Sequence, residues 1–147
     1  MNPKWQLLAC VCLWLVSCNN QREQWLCKRW QVSDVLFVNE GDALVQSDTM
    51  QGNLQEHTKT ILRDVMMKNV YEFKTDGTYI TANAAASAEG EWEFSGQNIR
   101  FISKHSEGQK EKMVPIEKLQ DDTLIVLYQQ DQTTLQMKLI LTPIEVK

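Results

Sequence analysis

Val70-Tyr71-Glu72-Phe73-Lys74-Thr75-Asp76-Gly77-Thr78-Tyr79-Ile80-Thr81-Ala82-Asn83 is the stretch on which the fold turns. Two runs rich in aromatic and β-branched residues, Val70–Lys74 and Thr78–Asn83, flank Asp76-Gly77, a dipeptide suited to the left-handed backbone of a tight turn. The pair reads as an antiparallel hairpin. Its register stays open by one residue: a two-residue turn sets Phe73 opposite Ile80, and a three-residue loop with a glycine bulge sets it opposite Tyr79. That choice decides whether Ile80 or Tyr79 shares a face with Tyr71 and Phe73.

Downstream the period of two continues. In Ala88–Phe94, residues Ala88, Gly90, Trp92 and Phe94 point one way and Glu89, Glu91 and Glu93 the other. Further strands are expected at Asn98–Ser103, Glu111–Leu119, Thr123–Tyr128 and Thr134–Thr142, joined by Ser95-Gly96-Gln97, the polar stretch Lys104–Lys110, Gln120-Asp121-Asp122 and Gln129–Thr133. Leu135, Met137, Leu139 and Leu141 alternate with Gln136, Lys138 and Thr142, as in a half-buried strand. Leu124–Tyr128 is apolar on both faces, which places it centrally or under a helix.

Upstream, Trp25–Val38 reads as a first strand closed by the turn residues Asn39-Glu40-Gly41-Asp42. Segment 49–68 changes period: Met50, Leu54, Ile61, Leu62, Val65 and Met66 form one apolar stripe of a helix, which Asp48 or Thr49 caps. Met66 and Met67 read as gap-filling core. Eight short strands, one helix between the first and second, and turns every 8–12 residues imply a single up-and-down antiparallel β-barrel. An eight-stranded barrel is either filled by its side chains or hollow enough for one small ligand. Trp30, Tyr71, Phe73, Trp92 and Phe101 are expected inside it, as packed core or as the lining of a cavity for a hydrophobic ligand.

The chain has 147 residues, 43% of them hydrophobic and 23% charged, which fits one domain and excludes a disordered chain. A net charge of −4 argues against nucleic-acid binding, and no aromatic stripe alternates with basic residues.

The first residues carry the most specific signal. Lys4 precedes an apolar run from Trp5 to Val16 interrupted only by Gln6. As a helix it spans roughly 18 Å, short of a hydrocarbon core of about 30 Å, so it reads as a signal peptide. It ends in Leu15-Val16-Ser17-Cys18, which resembles the lipobox of bacterial lipoproteins. The resemblance implies cleavage before Cys18, acylation of its thiol, and a membrane partner through that lipid. The chain then divides into a signal peptide at 1–17, a lipidated tether at 18–24 and a barrel domain at 25–147. Asn19 in place of an aspartate, and the lack of an acidic run, imply the periplasmic face of a Gram-negative outer membrane. Cys10 and Cys12 leave with the signal peptide, so Cys27 has no partner for an intramolecular disulfide and reads as a small residue in the first strand.

The order of lipobox, tether, Trp30, helix, Phe73-Lys74-Thr75-Asp76-Gly77-Thr78-Tyr79 and Gly90-Glu91-Trp92 resembles the small bacterial lipoproteins with a lipocalin-like domain. It departs from true lipocalins, whose Gly-x-Trp lies on the first strand; here Lys28 and Arg29 precede Trp30. The resemblance implies a barrel, and classical lipocalin ligand contacts do not carry over.

No catalytic constellation is present in the sequence. His57 and His105 sit in no metal-spaced cluster, and neither a phosphate loop nor a nucleophile elbow is found. Glu89, Glu91 and Glu93 read as a solvated outer face, with Lys112 or Lys118 offsetting their repulsion. The expectation is therefore a non-enzymatic envelope protein, with no cofactor or metal, that binds a small apolar or amphipathic molecule. The alternative is a solid barrel that acts as an interaction or structural module for an envelope protein partner in an outer-membrane complex.

Overall fold

A computed structural model of the chain describes residues 21–38, 49–105, 108–129 and 136–145. Cys18 and the start of the tether, the turn at Asn39–Asp42, Asp48 and Leu135 lie outside these residues, as do the side chains of Met50, Leu54 and His105.

Eight antiparallel strands close into a barrel in simple chain order. They are β1 Arg29–Val38, β2 Val70–Phe73, β3 Thr78–Ala82, β4 Ser87–Ser95, β5 Asn98–His105, β6 Gly108–Leu119, β7 Leu124–Gln129 and β8 Gln136–Pro143. A short helical turn at 21–26, α1, precedes β1, and the helix α2, Thr49–Met66, lies between β1 and β2. The up-and-down barrel and the position of its helix are those expected from alternation and turn spacing.

The hairpin resolves to the three-residue loop. Phe73 pairs with Tyr79, Gly77 N donates to the Lys74 carbonyl at 3.1 Å, and Lys74 N donates to the Thr78 carbonyl at 2.9 Å. Gly77 has φ +84°, a conformation that a side chain disfavours. Asp76 Oδ1 accepts from Thr78 N at 2.9 Å and fixes the turn. Tyr79, and not Ile80, therefore joins Phe73 among the buried residues.

Several boundaries differ from expectation. The first strand begins at Arg29 rather than Trp25, because residues 21–26 are helical. Arg22 in the expected tether lies 4.4 Å from the centre of the Phe94 ring, and its Nη1 donates to the Gly96 carbonyl at 3.1 Å. Cys27 lies in the bend between α1 and β1. The polar stretch 104–110 is largely ladder, with Lys104 opposite Gln109 and His105 opposite Gly108; an edge-free barrel extends pairing through polar residues when both neighbours continue.

The helix buries a narrower strip than its apolar stripe. Met66 is buried and Leu62 packs on the core, whereas Ile61, Val65 and Met67 are exposed. The reason is geometric: α2 packs chiefly on β1, and a helix on one strand covers only an i, i+4 line. It follows that α2 does not explain the apolar outer face of β7, where Ile125 and Leu127 are half-buried. A shift of register between Val32 and Asp34 lets Val32 and Val35 both face inward and turns Asp34 toward α2. There Asp34 Oδ1 accepts from Val35 N at 2.8 Å and from Arg63 Nη2 at 2.7 Å.

Candidate functional site

Each strand sends alternate side chains inward, and the two ends of the barrel treat them differently. At the end where β1 starts, the space is filled. Leu26 and Trp30 have no exposed surface, and Trp30 Nε1 donates to the Leu26 carbonyl at 2.9 Å. Trp92 meets Phe94 edge-on at 5.4 Å and Phe73 at 5.6 Å, with its Nε1 donating to the Lys74 carbonyl at 3.1 Å. Both indoles have satisfied donors within tight packing, as buried tryptophans require.

Above this plug the barrel is hollow. A cavity of about 720 Å³ is walled by Tyr71, Phe73, Tyr79, Ile99, Phe101, Val114, Leu124, Val126, Leu139 and Leu141. Its upper part is polar, with Asn69, Thr81, Asn83, Ser87, Ser103, Lys110, Lys112 and Tyr128. Small residues on β4 help to leave the space open. Ala88 reaches little way inward, and a Cβ on Gly90 would lie 2.6 Å from both the Ile102 carbonyl and the Tyr79 ring. Gly90 thus lets Tyr79 lie flat across β4, where Phe101 meets it edge-on at 4.9 Å.

Of the five aromatics expected inside, all are interior, and the structure divides them. Tyr71, Phe73 and Phe101 line the cavity, with Phe73 and Phe101 at 5.9 Å. Trp30 and Trp92 lie in the packed end and do not line it. Sequence reasoning missed Tyr79, Tyr128 and Lys112. Tyr79 waited on the hairpin register. Lys112 shares the parity of buried Val114, but Met113 on the opposite parity is apolar too, so β6 alternation pointed neither way.

The rim is organised by asparagines. Asn83 Oδ1 accepts from Ala85 N and Ala86 N at 2.9 and 3.0 Å, holding the β3–β4 turn, and its Nδ2 donates to Asn69 Oδ1 at 3.4 Å. Burial pushes the Tyr71 hydroxyl up to about 12, with the neighbouring Tyr128 adding to the rise and a hydrogen bond with Asn69 opposing it. Burial also raises Tyr79. Lys112 Nζ donates to the Gln129 carbonyl at 2.7 Å and lies 4.1 Å from the Tyr128 ring centre.

The glutamates of β4 are exposed, as expected from inward Trp92. Arg100, a residue not foreseen in this role, pairs with Glu93 of the row at 2.6 Å and with Glu111 of β6 at 2.7 Å. Lys112 faces the other side of the sheet. The Cys27 thiol is raised, first by burial and then by Glu23 and Asp76, which disfavours the reactive thiolate. Among the described residues no group of three His, Cys, Asp or Glu is placed to hold a metal ion, and no helix is long and apolar enough to cross a membrane.

No protein-family model matches the chain, and no curated protein matches it. Among solved structures, a lipocalin-like protein from Bacteroides uniformis is similar over 82% of this chain and 99% of that one, at 14% identity and a TM-score of 0.49. A DUF4847 family protein from Bacteroides vulgatus is similar over 86% of this chain and 99% of that one, at 11% identity and a TM-score of 0.48. Both are similarities of overall shape.

Proposed function

We propose that this chain is a non-enzymatic lipoprotein of the cell envelope whose barrel binds a small apolar or amphipathic molecule. The cavity carries the reading. About 720 Å³ lies within the range of small-molecule sites, and its wall is mainly aromatic and aliphatic with polar groups gathered at one end. The β4 glutamates, the carboxylate row on which a catalytic reading would draw, lie on the outer surface and not in the cavity. Acylation at Cys18 rests on the apolar run and Leu15-Val16-Ser17-Cys18, and the periplasmic leaflet of the outer membrane on Asn19 and the lack of an acidic run after it. Such an anchor keeps the cavity close to lipids and envelope metabolites.

Native mass spectrometry of the chain taken from its own envelope tests this. The expected result is a reproducible extra mass beyond the acyl groups, lost on denaturation. A chain that never carries one, even after incubation with envelope lipid extract, overturns the ligand reading. Metabolic acyl labelling tests the anchor: Cys18→Ala abolishes it, and unchanged labelling refutes the assignment.

A second reading, docking of an envelope protein partner, has Ile61 and Val65 in its favour. They lie one turn apart on α2 and are 52% and 49% exposed. Crosslinking in the envelope through those positions tests it, and an absence of adducts counts against it.

A further inference from the structure

We infer that the acyl anchor holds this barrel by its packed, closed end, so that the cavity mouth opens away from the anchoring membrane. The inference rests on the acylation at Cys18 proposed above. The sequence alone makes residues 18–24 a tether, yet from Gln21 the chain is helical and held down. Arg22 lies 4.4 Å from the centre of the Phe94 ring, and its Nη1 donates to the Gly96 carbonyl at 3.1 Å. Leu26 has no exposed surface, and its carbonyl accepts from Trp30 Nε1. Lys28 Nζ donates to the Asp121 carbonyl at 2.8 Å and pairs with the Asp121 carboxylate. The Lys28 and Arg29 carbonyls accept from Phe73 N and Ile144 N at 3.1 and 2.9 Å. Residues 22–29 are thus stapled to the end of β2, the β4–β5 turn, the β6–β7 turn and the chain after β8, all at the closed end.

Little free chain remains between the lipid and this staple. Cys18 stands three residues before Gln21, a reach of at most about 11 Å even when fully extended. The mouth is farther away. β4 runs from Ser87, which lines the polar upper part of the cavity, to Ser95 beside the closed end. At roughly 3.3 Å per residue and a strand tilt near 40°, that is about 20 Å along the barrel axis. A barrel turned mouth-down would hold Gln21 farther from the bilayer than the tether reaches. The turns of the closed end, Thr75-Asp76, Gly96-Gln97 and Gln120-Asp121-Asp122, are exposed and polar, which suits a wet headgroup layer and not the hydrocarbon beneath it. A ligand of the cavity then enters from water, and not from the leaflet that holds Cys18.

The test uses the full chain, made in a Gram-negative host and reconstituted in phosphatidylcholine vesicles that carry a sparse nitroxide quencher on their headgroups. Cys27→Ser removes the remaining thiol. A fluorophore is then placed at Gln97→Cys in the β4–β5 turn or at Ala84→Cys in the β3–β4 turn, both exposed. The expected result is quenching of the Gln97 label, with the Ala84 label as bright as in quencher-free vesicles. A flexible insertion of about 20 Gly and Ser residues between Asn20 and Gln21 spans about 25 Å and is expected to erase the contrast. Quenching at Ala84 equal to or above that at Gln97 in the uninserted chain overturns the inference, as does a contrast that survives the insertion. A chain that carries no acyl group and does not float with the vesicles brings down the anchor reading, and the inference with it. Should either labelled variant not fold by circular dichroism, Gln120→Cys and Ser87→Cys, at exposed residues of the same two ends, make the same comparison.

Discussion

The two ends of this barrel are built from the same alternation and do opposite things with it. At the end that begins β1, Leu26, Trp30, Trp92 and Phe94 fill the interior, and Arg22 of α1 closes over Phe94. At the other end the inward positions hold Thr81, Ala88, Ser103 and Lys112, too small or too polar to fill the width, and a cavity results. The contrast locates stability at one end and recognition at the other. A packed end tolerates little change because every methylene there has partners, whereas a hollow end can lose side chains into space already open.

The largest test of that contrast is a pair of truncations. Trp30→Ala is expected to cost about 3–5 kcal/mol in chemical denaturation, as a large buried ring leaves an unfilled hole. Phe101→Ala, on the cavity wall, is expected to cost less than about 2 kcal/mol while abolishing the extra mass seen in native mass spectrometry. Equal losses from the two would erase the distinction between plug and cavity.

Gly90 sits where the two regions meet. Gly90→Ala is expected to cost about 1–3 kcal/mol, since the new Cβ would lie 2.6 Å from the Ile102 carbonyl, which cannot rotate away. Thermal melting reads it, and an unchanged midpoint would mean that Tyr79 does not lie across β4.

Alkali probes the hollow end through Tyr71. Tyr71 is raised in the folded chain to about 12 from an ordinary value near 10. Its stabilising contribution is therefore complete below pH 10 and is lost as the pH climbs toward 12, where the unfolded chain ionises first. Ultraviolet titration should show a last phenolate step near pH 12, beyond the raised Tyr79, that Tyr71→Phe removes. Persistence of that step in the variant would assign it elsewhere.

Acid gives the smallest effect. Hydrogen bonds from Val35 N and then Arg63 hold Asp34 below the usual carboxylate range. Its contribution is present above the unfolded value of about 3.9 and fades as the pH falls through the lower folded value. Because the pair is exposed, Asp34→Asn should cost less than about 1 kcal/mol at neutral pH and flatten the acid limb of the stability curve. A larger loss would mean that α2 depends on this link more than on Met66.

The elements readable in advance were those whose information is local. The inward set Trp92 and Phe94 against Glu89, Glu91 and Glu93 follows from the pleat, and Asp76-Gly77 marks a turn wherever it lies. The elements misread were those whose fate depends on a distant neighbour. Trp25 has the composition of a strand, yet it lies in a helical turn whose Arg22 rests on Phe94, far along the chain. Ile61 and Val65 lie on the helical stripe, but the narrow seat that β1 provides leaves them outside.

By itself the sequence determined an antiparallel barrel of eight strands with a helix after the first, because side-chain parity and turn chemistry act over a few residues. It also placed Trp30, Tyr71, Phe73, Trp92 and Phe101 inside, while Tyr79 stayed open with the hairpin register. Only the tertiary structure decided that the barrel is hollow at one end, that Tyr71, Phe73 and Phe101 face that space while Trp30 and Trp92 do not, and that Lys112 stands inside. Those outcomes depend on the summed volumes of side chains from strands distant in sequence, set against a circumference fixed by closure, and no local pattern encodes that sum.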